Sequence, residues 1–154
     1  MHSATTKLSV RNRGFTLLEI MLSMAFISVM AAIPLLLGNF SLSRSNLTHA
    51  ESLTVGALRS AERFAIAEKD GGAWGAKVLP DSVTVFQGDT YDARDTAHDR
   101  IYVFPDTVLV SGTDEVVFAQ WSGTPNNSGD IVLDIDAYSA VITVSDYGVI
   151  DYQP

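Results

Sequence analysis

Residues 11–38 read RNRGFTLLEIMLSMAFISVMAAIPLLLG. Arg11, Arg13 and Gly14 stand directly before an apolar run, Phe15 to Gly38, that carries a single charge, Glu19. As a helix rising about 1.5 Å per residue, this run is roughly 36 Å long. The hydrocarbon core of a bilayer is about 30 Å thick. The run is therefore long enough to cross a membrane, with the basic residues held on the cytoplasmic side. Two plain readings stand open. One is a secretory signal cut after its apolar core, for which Val29-Met30-Ala31 is a passable small-residue site. The other is an uncleaved anchor. Neither accounts for Glu19: an acid at the centre of a spanning helix costs about 2.5–3.5 kcal/mol on insertion scales, and less near the interface, where Glu19 would lie.

The rest of the composition narrows the field. The chain has 154 residues, no cysteine and a formal net charge of −8. No disulfide framework, thiolate nucleophile or cysteine-based zinc site is available. Residues 1–14 hold three of the ten basic residues and none of the eighteen acidic ones. The remainder of the chain is an acidic body, poorly suited to neutralising nucleic-acid phosphates and repelled by anionic headgroups. Direct nucleic-acid binding is not expected.

Residues 13–19, Arg-Gly-Phe-Thr-Leu-Leu-Glu, resemble the N-terminal signature of type IV pilins and type II secretion pseudopilins. That resemblance implies a leader, 1–14, removed by a prepilin peptidase that cuts between Gly14 and Phe15. It implies N-methylation of Phe15 by the same peptidase/N-methyltransferase, and retention of the apolar helix. Pro34 falls two residues before the proline that commonly kinks helices of this family. The chemistry is consistent with a switch. Cleavage turns a neutral amide into a cationic amine on Phe15. Glu19, four residues along on the same helical face, then has a complementary partner in the amine of a neighbouring subunit. Such a pair contributes register more surely than net stability, because desolvating two charges offsets their attraction.

From Asn39 to Lys69 the run is more polar but keeps a helical period. Leu47, Ala50, Leu53, Ala57, Ala61, Phe64 and Ala65 recur at spacings of three or four, which describes one apolar face. Arg44, Glu51, Arg59, Glu62 and Glu68 are assigned to the polar side. Asp70-Gly71-Gly72 reads as the stop. One helix is expected over 15–69, with a bend allowed in SLSRSN, 41–46, and a soft point at Gly56.

Beyond Gly72 the pattern turns to short β-branched runs. Strands are expected at 76–79, 83–87, 101–104, 107–111, 116–120, 129–135, 140–145 and 148–151, divided by Pro, Gly and Asp turns. The expected fold is α+β: a long N-terminal helix packed on an antiparallel sheet or small sandwich. The division is leader 1–14, membrane-spanning or filament-core helix 15–38, amphipathic continuation 39–72 and β-rich domain 73–154. Trp74-Gly75, the Phe118…Ser122-Gly123…Pro125 segment and the closing Gly148-Val149-Ile150-Asp151 look like the H-type minor pseudopilins and their minor-pilin relatives.

Catalytic signatures are not found. Asp89, Asp92, Asp95 and Asp99 fall in one stretch, 88–99, read as a solvated loop. It lacks EF-hand spacing for calcium, and Arg94 and Arg100 offset its charge. His2, His49 and His98 are isolated in sequence, and there is no nucleophile elbow or phosphate-binding glycine loop. No metal or cofactor is expected. Trp74 and Trp121 are both assigned to the core.

The resemblance implies a non-enzymatic subunit of a type II secretion pseudopilus. Its partners are the prepilin peptidase, other pilin or pseudopilin subunits, an inner-membrane assembly platform and membrane lipid. Its expected place is the inner membrane, single-pass with the body outside the cytoplasm, then the filament. Because Glu19 is present, a place just below the tip is expected rather than the tip itself. A type IV pilus minor subunit is the alternative within the family. A membrane-anchored binding module that never polymerises is the alternative outside it.

Overall fold

The computed structural model describes residues 15–67 and 70–153, with side chains at 33–41 and 153 excepted. The expected leader, 1–14, lies outside the described residues, as do Glu68 and Lys69. The chain divides into two compact units, 1–39 and 40–154. Helix α1 spans Leu17–Ile66, and the Ser-rich stretch 41–46 is helical within it. Eight strands come after it: β1 Trp74–Val78, β2 Ser82–Gln87, β3 Asp95–Val103, β4 Leu109–Gly112, β5 Glu115–Phe118, β6 Gly129–Ile135, β7 Tyr138–Val144 and β8 Ile150–Gln153.

In the first unit, every described side chain from Phe15 to Ala32 is exposed. Phe15, Leu17 and Leu18 each keep more than three-quarters of their surface. Among the described residues no helix is long and apolar enough to cross a membrane. The described side chains of this stretch end at Ala32, so a span over 15–38 rests in part on residues outside them.

The second unit is α+β. Its strands form two antiparallel sheets, ordered β3-β2-β1-β5 and β4-β6-β7-β8. The chain crosses between them at 104–108, at Thr113-Asp114 and at 119–128. The helical face is built on small residues: Ala50, Ala57, Ala61 and Ala65 are buried with Leu47, Thr54, Val55 and Leu58. Positions 47, 50, 54, 57, 58, 61 and 65 return to one side of a 3.6-residue helix, and their short side chains bring the helix close to its neighbours. One buried cluster joins this face to both sheets.

The two sheets use their residues differently. In β2 five successive residues, Ser82 to Phe86, are buried, as in a strand covered on both faces. In β6 and β7 burial alternates: Ile131, Leu133, Ile135 and Ala140, Ile142, Val144 point inward while their neighbours do not. That is the period-2 pattern of a half-buried sheet.

Three expectations need correction. The stretch 88–99 is not all loop, because β3 begins at Asp95 and pairs Asp95 with Gln87 across a register shift between Val85 and Gln87. β3 is an edge strand exposed on most positions, so burial imposes no apolar alternation on its first half. Glu51 is not on the polar side; it is 5% exposed. It lies where the helix flank meets Tyr138, Ser139 and Ala140 at the start of β7, around a shared cavity. Trp121 is not in the core: it adopts a left-handed backbone in the loop between β5 and β6, with its ring exposed. The strands otherwise occur in the expected order, with ends displaced by a few residues.

Candidate functional site

Two of the three sequence-derived site residues, Phe15 and Glu19, lie at the head of α1; Gly14 lies outside the described residues. Phe15 and Thr16 precede the helix. The Thr16 carbonyl accepts from the Ile20 N–H at 3.2 Å, the first i→i+4 bond of the helix. The Thr16 hydroxyl oxygen accepts from the Glu19 N–H, also at 3.2 Å. Thr16 is thus the N-cap and Glu19 the third helical residue, where a negative charge complements the helix dipole. The Thr-x-x-Glu spacing is that of a capping box, a signal present in the sequence and missed there. Glu19 is exposed and stands four residues along the chain from Phe15, which precedes the helix, so the expected shared helical face does not extend back to Phe15. Further along, the Ser23 and Ser28 hydroxyls donate to the carbonyls of Glu19 and Met24, so these polar groups are satisfied within the apolar helix.

In the body, the acidic stretch resolves into local pairings. Arg94 Nε donates to Asp99 at 2.9 and 3.1 Å and its Nη1 donates to the Tyr91 carbonyl at 2.7 Å. The guanidinium lies 3.7 Å from the centre of the Tyr91 ring, and the Asp99 bond holds its proton more firmly still. Asp95 accepts from the Ala97 N–H, which lowers its carboxyl below the ordinary range, with a smaller contribution from His98. His98 lies 3.2 Å from Asp95 and 3.7 Å from Asp70, its ring edge-on to buried Trp74. Among the described residues no group of three His, Asp or Glu converges as metal ligands. A cavity of about 400 Å³ opens between the Asp70–Ala73 turn, Gln87-Gly88-Asp89 and His98.

Two further features escaped the sequence reading. The Glu51 carboxyl is buried, its Oε1 has no hydrogen-bond partner, and loss of solvent raises it above the ordinary carboxyl range. Trp121 has φ 72°, the left-handed region that a bulky residue rarely adopts. Its backbone N–H donates to the Ala65 carbonyl at 3.1 Å, satisfying one of the last acceptors of α1. The indole itself is 70% exposed.

The C-terminal motif residues have structural work. Phe118 is fully buried and pairs with Pro125 in an isolated bridge. Gly123 sits at φ 66°, where a Cβ would stand 2.8 Å from the Ile66 side chain. Gly148, at φ 82°, would meet the Gly123 carbonyl at 3.0 Å. Both glycines let two loops close over the end of α1. Comparison of the chain with family models, curated proteins and solved structures finds no match.

Proposed function

We propose that this chain is a prepilin-like minor pseudopilin, a structural subunit of a type II secretion pseudopilus, and not an enzyme. One observation carries the reading: the sequence Arg13-Gly14-Phe15-Thr16-Leu17-Leu18-Glu19 runs into a stretch whose side chains from Phe15 to Ala32 are exposed and mostly apolar. Exposed apolar surface on this scale requires a covering. Lipid supplies it while the 15–38 helix spans the inner membrane, and neighbouring subunits supply it in the filament. The same side chains suit both settings because lipid tails and packed helices are equally apolar.

The residues set the order of steps. Arg11 and Arg13 keep the leader cytoplasmic. A prepilin peptidase cuts Gly14–Phe15 and methylates the new amine. The assembly platform lifts the subunit, and the Phe15 amine of one subunit pairs with Glu19 of another as the helices stack. Within the same family, a type IV pilus minor subunit would use the same residues. Whether the gene neighbours those of a secretion system or of a pilus separates the two.

Mass spectrometry of the protein recovered from its native membrane tests the reading. The expected mature chain begins at N-methylated Phe15. An intact Met1, or a start near Ala32, overturns it.

A further inference from the structure

We infer that the cavity between α1 and the start of β7 is a binding site for an alkylammonium group, its stem against Leu47 and Ala140 and its nitrogen on the Glu51 carboxylate.

Nearly every buried polar atom of a folded protein has a hydrogen-bond partner. Among the described residues two buried side-chain oxygens have none, Glu51 Oε1 and Thr84 Oγ1. Glu51 is the one of the two that ionises. It is buried, and among the described residues no cation pairs with it. Its side chain also lines a cavity of about 240 Å³, together with Leu47 and Thr48 of α1 and Tyr138 and Ala140 of β7. An unpaired carboxyl held there is costly to the fold and is an acceptor waiting for a donor.

The walls select that donor. An ionised carboxylate only accepts hydrogen bonds. The Thr48 hydroxyl already donates its hydrogen to the Arg44 carbonyl at 3.1 Å, so towards a ligand it too only accepts. An ammonium brings donors and no acceptor, and it matches the charge, which a neutral hydroxyl does not. Oε1 is shut off from water, which leaves Oε2 as the oxygen within reach. A compact ammonium suits one oxygen better than a guanidinium, whose two parallel bonds call for both. Leu47 and Ala140 are apolar and buried, and the stem of a lysine-like amine lies along such surface. The volume takes roughly eight groups the size of a water, enough for a four-carbon stem and its nitrogen. Arg44 borders the same cavity. It stands seven residues before Glu51, about 10 Å along the helix axis, and leaves the carboxyl unpaired.

The site has a pH signature. Loss of solvent raises the Glu51 carboxyl, and an ammonium pairs with its ionised form. The other ionisable groups bordering the cavity are Arg44 from α1 and Tyr138 from β7. Affinity therefore rises with pH through the raised carboxyl value, and a bound ammonium draws that value down.

The test is n-butylammonium chloride added to the full-length chain in non-ionic detergent micelles, followed by NMR. The Tyr138 and Ala140 amide signals are expected to shift saturably. The Glu51 carboxyl carbon is expected to titrate about one pH unit lower at saturation, a tenfold preference for the ionised form. Sodium chloride and n-butanol at the same concentration are expected to do neither. Glu51→Met, whose remaining amide signals report a folded body, is expected to bind at least about tenfold more weakly, the scale of one unit of lost charge pairing. A tripeptide with a central lysine separates the sources. Binding like that of n-butylammonium assigns the site to a lysine side chain of a neighbouring protein; binding of n-butylammonium alone assigns it to a free amine. No saturable shift, an equal response to sodium chloride or n-butanol, or unchanged binding in Glu51→Met overturns the ammonium site.

Discussion

Residues 15–32 and 47–65 belong to the same helix and meet opposite fates. In the first stretch no side chain is buried; in the second, one face is wholly buried against two sheets. Both are rich in apolar residues, so apolar content is not what separates them. The arrangement is. Between Phe15 and Ala32 apolar residues occupy all sides of the helix, and a single β-rich body has only one side to offer. Between Leu47 and Ala65 they hold to one face, and alanines on that face let the backbone approach closely. A helix that is apolar all round calls for cover on every side, as in the core of a large assembly or in lipid. A helix with one apolar stripe is completed by its own domain.

This contrast is open to direct attack. Leu58 is fully buried, so Leu58→Ala is expected to destabilise the body by about 2–5 kcal/mol. Leu22, exposed in the first stretch, is expected to leave body stability within about 0.5 kcal/mol when changed to Ala. Chemical denaturation monitored on the body reads both; equal effects would break the comparison. Glu19→Ala is expected to be cleaved normally yet to enter filaments about tenfold less well, a difference of about 1.4 kcal/mol. Quantifying the variant in sheared filaments checks it, and unchanged incorporation would remove Glu19 from the registration role.

An effect smaller than those at Leu58 and Glu19 concerns Glu51, a buried acid on α1. Burial raises its carboxyl above the ordinary range, so the folded chain holds that proton more tightly than the unfolded chain. The stabilisation from this proton is complete below the ordinary carboxyl range and is lost as pH rises through the raised value. Glu51→Met is therefore expected to stabilise the body by about 1 kcal/mol at pH 7, by removing an unpartnered buried acceptor. The gain should shrink as pH falls. Thermal melts of both proteins across pH 4–8 give the difference, and a pH-independent gain would count against the carboxyl as its source.

The order of strands was readable because turn residues punctuate it: Pro80-Asp81, Gly112-Thr113-Asp114 and Asp146-Tyr147-Gly148 each separate elements found on either side. The first half of β3 was not readable. Asp95 to Arg100 lies mostly exposed on a sheet edge, and only backbone pairing with β2 makes it a strand. Trp121 shows the same limit from the other side. Indole chemistry favours burial, but its backbone N–H bonds to the last turn of α1, its backbone is left-handed and its ring is exposed. Glu51 was assigned to solvent on its charge, yet its place on the helix flank carried it under β7.

By itself the sequence carries the Thr16-x-x-Glu19 spacing at the head of α1, unread as a cap until the hydrogen bonds showed it, and the apolar run behind it. Each depends on neighbours within one helical turn, so the residues carry the information locally. It also determined the α+β class, through the change of hydrophobic period after Gly72. Only the tertiary structure decided how eight strands divide between two sheets, which face of each is covered, and which polar residues are drawn inside. Those outcomes depend on contacts between residues far apart in the chain, where backbone pairing and close packing override the preference of any single side chain.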